Sequence, residues 1–302
     1  MANTSASVLT KLLTIAKQRG DDYNLLLNRF ALERLLFRIG NSQHASRFML
    51  KGALLFALWY HEPHRPTRDA DLLGFGNDDA AQLSATFREI AAVDLDDGIR
   101  FDPESIRVDP IREDNAYGGL RVRLVAHIGS ARCALQVDVG FGDVVTPEPL
   151  DVTFPVLLAG FPAPRLRAYP VYTVIAEKYH AMVLLGLANT RMKDFYDVAV
   201  IARRTQLDGA TLARAIGATF TRRRTPLPAQ LPLALNADFG SDASKQRQWA
   251  AFLKKNRLAG SELDSVVGVL RDLLWPPTQV ATAGSAAIAV WSVDMQQWQE
   301  VP

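Results

Sequence analysis

The chain is short of cysteine, of net charge and of long apolar runs. It carries a single cysteine, Cys133, among 302 residues. One thiol excludes an internal disulfide and a cysteine-cluster zinc site. Cys133 falls in an alternating apolar run, which reads as buried packing. The formal net charge of +2 makes no whole-protein case for nucleic-acid binding, so any such site must be a local patch. No uncharged apolar stretch reaches roughly 18 residues before the C-terminal tail, so no membrane span is expected. The N-terminal MANTSASVLTKLLTIAKQRGDDYN lacks a cationic start followed by an apolar core, and does not read as a signal peptide. The expectation is a cytoplasmic chain with no membrane partner. A nucleophile elbow, a P-loop and a His-Glu-x-x-His helix are also missing. The five histidines are scattered, and His61 and His64 are too loosely spaced to argue a site.

Apolar residues make up 48% of the chain, enough for a sizeable core. The hydrophobic periodicity predicts helices over 5–20 and 23–39, then a short strand at 48–50. Gly52 turns the chain into a helix over 53–60, which Pro63 and Pro66 break. A strand over 69–75 and a helix over 78–93 follow. Strands are expected at 107–110, 120–128 and 135–141, with turns at Asn115, Gly118-Gly119 and Gly129-Ser130. The proline-rich stretch 147–170 reads as a crossing between lobes, with short extended pieces at 152–154 and 165–170. Beyond it the texture is helical: 172–187, 194–204, 207–220, 244–255 and 261–274, with a loose tail after Pro276-Pro277. The outline is a mixed α/β lobe over 1–165 and an all-helical lobe over 166–302.

Within that outline, Thr67-Arg68-Asp69-Ala70-Asp71 is the densest chemical signal. Residues two apart in a strand share a face, so Asp69 and Asp71 point two carboxylates the same way. Like charges that close repel unless a cation lies between them, and hard oxygen ligands suit Mg²⁺ completed by substrate phosphates. A D-x-D pair alone is also an ordinary solvated pair. The Lys51-Gly52 turn upstream, where a helix start can hold phosphate oxygens, and the apolar Leu72-Leu73 downstream favour the metal reading. Asp138 sits between Val137 and Val139, where propensity disfavours aspartate. It is either an exposed-face residue or a third carboxylate beside the first two.

Three further clusters lie downstream. Lys178 follows Glu177 on an apolar helix. It is either a solvated lysine in a helical pair or a cleft lysine that neutralises triphosphate charge. In Arg191-Met192-Lys193-Asp194-Phe195-Tyr196-Asp197, Asp194 and Asp197 share one helical face. They either complement the helix dipole or carry chemistry, with Arg191 and Lys193 as phosphate donors. Arg203-Arg204, Arg222-Arg223-Arg224 and Lys254-Lys255 with Arg257 are either a solvated face or a track for an RNA backbone.

Taken together, residues 48–197 resemble the AbiEii/AbiGii (MenT-like) nucleotidyltransferase toxins of type IV toxin–antitoxin systems. The likeness rests on Phe48 to Leu54, on Arg65-Pro66-Thr67-Arg68-Asp69-Ala70-Asp71-Leu72, on Val137-Asp138-Val139, on Glu177-Lys178 and on Arg191 through Asp197. Ala53 departs from the family pattern, where a second small Gly or Ser is common. The resemblance implies a polymerase-β-type nucleotidyltransferase lobe followed by a helical lobe. It implies transfer of a nucleoside monophosphate from an NTP, with Mg²⁺, to an RNA acceptor, the tRNA 3′ end foremost, which blocks translation. It implies a cognate antitoxin encoded nearby. Carried onto this chain, Asp69 and Asp71 hold metal, with Asp138 as further ligand or base. Lys178 contacts the triphosphate and Asp194 completes the catalytic set. Lys51, Gly52, Thr67, Arg68 and Lys193 lie with the nucleotide phosphates. Two other readings stay open: a transferase that modifies a protein or small molecule, and a non-catalytic RNA- or partner-binding protein on the same scaffold.

Overall fold

The computed structural model describes residues 2–61, 65–111, 118–283 and 289–300. The turn and loop expectations at Pro63, His64 and Asn115 lie outside these residues. The chain divides into two compact units, Met1–Gly142 with Leu150–Ala168, and Asp143–Pro149 with Tyr169–Pro302.

The N-terminal unit opens with helices α1 (Ala2–Arg19) and α2 (Tyr23–Gly40). Asp22 caps α2, its carboxylate accepting from the Leu25 N–H at 2.9 Å, a contact of about 1 kcal/mol. Then come β1 (Phe48–Lys51), a tight turn over Gly52–Leu54, α3 (Leu55–Tyr60), β2 (Asp69–Gly74) and α4 (Ala80–Ala92). Three long strands follow: β3 (Arg100–Pro110), β4 (Gly119–Ile128) and β5 (Ala131–Phe141). Last are β6 (Leu150–Thr153) and β7 (Arg165–Ala168). Among the described residues, seven strands form one mixed sheet in the order β3-β4-β5-β2-β1-β7-β6.

Alternation along the strands sorts the two faces. Ala70, Leu72, Val122, Leu124, Leu135, Val137 and Val139 are buried on one, with α1 and α2 packed on β4 and β5. The opposite face of β2, β4 and β5 carries Asp69, Asp71, Arg121, Arg123, Gln136 and Asp138, all at least partly exposed.

The return of 150–168 to this unit is fixed by α2. Glu33 accepts from the Leu157 N–H at 2.6 Å, and Arg34 donates to Glu33 and to the Pro162 carbonyl, each at 2.8 Å. Phe30 meets Phe161 edge-on at 5.4 Å. At the end of the same helix, Gly40 passes so close to the Arg165 carbonyl that an added Cβ would overlap it.

The C-terminal unit contains α5 (Val171–Leu185), α6 (Met192–Arg204), β8 (Leu207–Asp208), α7 (Gly209–Arg222), α8 (Ala237–Ser241), α9 (Ala243–Asn256), α10 (Leu263–Ala283), β9 (Ala289–Ser292) and β10 (Gln297–Glu300). The expectation of an all-helical lobe is corrected here. β8 leaves the expected helix at 207–220, and the tail folds into the β9–β10 hairpin that pairs with it.

The expected helix end before Pro276-Pro277 is corrected too: α10 runs through both prolines. Pro277 has no N–H for the Leu273 carbonyl one turn back. The Trp298 indole of β10 donates to that carbonyl instead, at 3.2 Å. Trp291 of β9, fully buried, donates to the Ala202 carbonyl at the end of α6 at 2.7 Å. The two tryptophans pack edge-to-face at 5.5 Å. No helix among the described residues is long and apolar enough to cross a membrane.

Candidate active site

Strand register assembles the first cluster. β1 runs antiparallel to β2 with Lys51 opposite Asp71. β2 runs parallel to β5 with Asp71 beside Asp138 and Asp69 beside Gln136. β5 runs antiparallel to β4 with Asp138 opposite Arg121. One row across four strands therefore reads Lys51, Asp71, Asp138, Arg121. Adjacent strands lie about 4.8 Å apart, and like charges side by side destabilise a sheet. A cation at each end of the row offsets that repulsion.

Arg121 takes Asp138 in a two-bond fork, Nε to Oδ1 and Nη2 to Oδ2, both at 2.8 Å. This is the strong geometry for a guanidinium and a carboxylate. Arg121 was not singled out in the sequence, because nothing local in Arg121-Val122-Arg123 says which strand lies opposite. Gly140 was missed for the same reason. A Cβ there would lie 3.3 Å from the Lys51 Nζ, so its bare backbone leaves room for the lysine head.

Gly52 is constrained twice. Its φ is +73°, and an added Cβ would sit 2.0 Å from the Asp71 Oδ2. The turn therefore requires glycine by conformation and by its approach to a site carboxylate. Thr67 donates its hydroxyl to the Asp69 backbone carbonyl at 3.4 Å, bridging the segment that enters β2. Arg68 is exposed beside it.

Among the described residues no three His, Cys, Asp or Glu side chains converge as a ready metal site. Asp69 and Asp71 nonetheless share a face and are hard oxygen donors, which fits a Mg²⁺ held by two carboxylates and completed by substrate phosphates and water. Arg121 uses one lone pair on each Asp138 oxygen, so the carboxylate keeps acceptor capacity for an ion or a proton.

The C-terminal unit carries the second cluster. Lys178 of α5 places its Nζ 2.7 Å from Asp194 and 2.8 Å from Asp197, both on the first turns of α6. Arg191 reaches the other Asp194 oxygen at 2.7 Å. Both aspartates are fully buried. Burial alone would push the Asp194 carboxyl up. Lys178 and Arg191 beside it outweigh that and hold it below its ordinary value. Lys193 points out to solvent on the same helix turn.

Glu177, one residue before Lys178, faces a different group. Arg223 lies 3.7 Å from Glu177 and 2.9 Å from Asp143. His180 shares a hydrogen bond with Thr225 at 2.9 Å. Burial, then the Arg223 charge, pushes the His180 imidazole down to about 4 against an opposing pull from Asp143. Burial, with Glu177 and Asp143 nearby, raises the Tyr169 phenol well above its usual range. The reading of Arg222-Arg223-Arg224 as one basic surface is corrected accordingly. Arg223 turns inward to two carboxylates, while Arg222 and Arg224 stay exposed, as do Lys254, Lys255 and Arg257.

The chain is similar to the crystal structure of JHP933 from Helicobacter pylori, at 14% identity over 85% of this chain and 94% of that one, with a TM-score of 0.45. It is similar to the crystal structure of a putative nucleotidyltransferase from H. pylori, at 14% identity over 86% and 97%, again with a TM-score of 0.45. No curated protein matches. The family model described as nucleotidyl transferase AbiEii toxin, type IV TA system, matches residues 34–269, from α2 into α10. With most of its length under that model, the chain belongs to the AbiEii nucleotidyl transferase toxin family of type IV toxin–antitoxin systems.

Proposed function

We propose that this chain transfers a nucleoside monophosphate from an NTP to an RNA acceptor, the tRNA 3′ end first among candidates, and that a cognate antitoxin restrains it. The observation that carries this reading is the row Lys51, Asp71, Asp138, Arg121 with Gly52 against the Asp71 carboxylate. Two adjacent carboxylates flanked by cations on a sheet face, fitted to a glycine turn, are poor packing design and good phosphate chemistry.

The reaction is in-line attack of an acceptor hydroxyl on the α-phosphorus. A new P–O bond forms, the α–β bridging bond breaks, and pyrophosphate leaves. A Mg²⁺ held by Asp69 and Asp71 would supply charge stabilisation at the phosphoryl oxygens. Gly52 leaves room for the Asp71 carboxylate, and its bare backbone is open to the phosphates. Lys51 and Arg68 add donors on the same unit. Lys178, oriented by Asp194 and Asp197, is the counter-charge assigned to the triphosphate. Asp138, held in orientation by Arg121, is the assigned acceptor for the hydroxyl proton.

The test is incubation with total tRNA, Mg²⁺ and each α-labelled NTP in turn, beside Asp69→Ala. Label on tRNA that falls by about 10²–10³-fold in the variant is the expected result. Label on a protein band instead of RNA would replace the acceptor class. No label on either would overturn the RNA-acceptor reading.

A further inference from the structure

We infer that a groove at the open edge of β5 seats the sugar–phosphate backbone of the acceptor strand. This rests on the proposed RNA transfer and deepens it. β2 begins at Asp69 and pairs with β5 only from Gln136 onward, whereas β5 reaches back to Ala131. Over 131–135, β5 therefore has β4 on one side and, among the described residues, no strand on the other. The space beside that edge is a groove of about 630 Å³, in the size range of small-ligand sites, about 300–1,000 Å³. It lies wholly within the N-terminal unit.

Its lining has the chemistry of a polyanion seat. Arg68, Arg123 and Arg132 all line it and all are exposed. Arg123 already gives one N–H to the exposed Asp109 carboxylate at 2.6 Å, a solvent-screened pair that a phosphate can displace. Guanidinium forks match phosphodiester oxygens better than ammonium groups do. Two carboxylates also line it, Asp22 and Asp69. Asp22 is committed to the α2 cap, and Asp69 is the residue at which the groove meets the D-x-D strand. The Lys51-Gly52 turn lies across β2 from β5. A strand lying in the groove would thus approach Asp69 from the side opposite that turn, which suits an acceptor meeting a nucleotide.

An extended peptide adding to the β5 edge is the rival occupant. Asn28 argues against it, because its Nδ2 already donates to the Ala134 carbonyl at 3.1 Å and interrupts the ladder a peptide would need. Three arginines flanking a short edge also favour phosphate over backbone amide.

The test uses the full chain with Arg123→Ala/Arg132→Ala and, separately, Arg132→Glu, all at exposed positions. Filter binding of total tRNA is measured across a salt series, and thermal shift with each NTP and Mg²⁺ reports the nucleotide site. The expected result is tRNA affinity down about tenfold or more in the double variant, with the slope of log affinity against log salt reduced by about two. The NTP shift should match wild type. If wild type binds tRNA and both variants bind it equally well with the same slope, the groove is not the acceptor seat, though RNA transfer stands. If wild type binds no tRNA, the RNA reading fails and the groove assignment fails with it. Loss of label transfer to a protein band, with tRNA binding unchanged, would give the groove to a peptide and overturn the inference.

Discussion

At the residue scale, Gly52 separates a backbone requirement from a chemical one. A side chain there meets left-handed strain, about 1–2 kcal/mol, and also the Asp71 Oδ2 at 2.0 Å from its Cβ. Gly76 offers the control. Its φ is +97°, but nothing lies within 4 Å of an added Cβ. Gly76→Ala should lower stability by about 1–2 kcal/mol and leave nucleotide transfer close to wild type. Gly52→Ala should lower stability by more than that, because the clash adds to the strain, and should cut transfer by about 10²-fold or more, because Asp71 must move. Denaturant unfolding and labelled-NTP transfer on both variants check this. Equal activity in the two would show that the Asp71 contact has no catalytic consequence.

At the element scale, the strands and helices that were legible are those with strong local patterns. Asp69 to Gly74 and Tyr23 to Gly40 announce themselves by alternation, by helical spacing and by turn residues. Arg121, Gly140 and the inward turn of Arg223 did not, because each depends on a neighbour distant in sequence: Asp138, Lys51 and Asp143. The tail was misread for a related reason. Pro276-Pro277 is a valid stop signal when helix interiors must satisfy themselves, and here the tail satisfies the helix. Trp298→Phe should leave the buried Leu273 carbonyl without its donor and cost about 1–3 kcal/mol. In a Pro277→Ala background the restored N–H takes that carbonyl, so Trp298→Phe should cost about 1 kcal/mol less there than in wild type. A double-mutant cycle by denaturant unfolding measures the difference, and additive costs would mean that Trp298 acts only through its ring packing.

For the whole molecule, a net charge of +2 conceals charges held in specific protonation states, so stability should depend on pH in a particular order. His180 comes first. Its imidazole is pushed from 6.5 down to about 4 in the fold, so between those values the unfolded chain binds the proton and the native chain does not. Stability therefore rises with pH across that window: it is fully present above 6.5 and declines as pH falls toward about 4. Asp194 comes next, because its folded value lies below its ordinary 3.8. The stability it contributes persists above 3.8 and is lost only as pH drops further, through the folded value. Ordinary surface carboxylates have midpoints near 4 and take up protons mainly below about 5, so a decline that starts near 6.5 points to a histidine. Thermal melting across this range should show that early decline in wild type, and His180→Gln should flatten it while keeping the steeper loss at lower pH. The variant also loses packing against Phe220, whose ring sits 5.0 Å from the imidazole, so its absolute melting point falls and only the slope is diagnostic. An unchanged slope in His180→Gln would place the early proton uptake elsewhere.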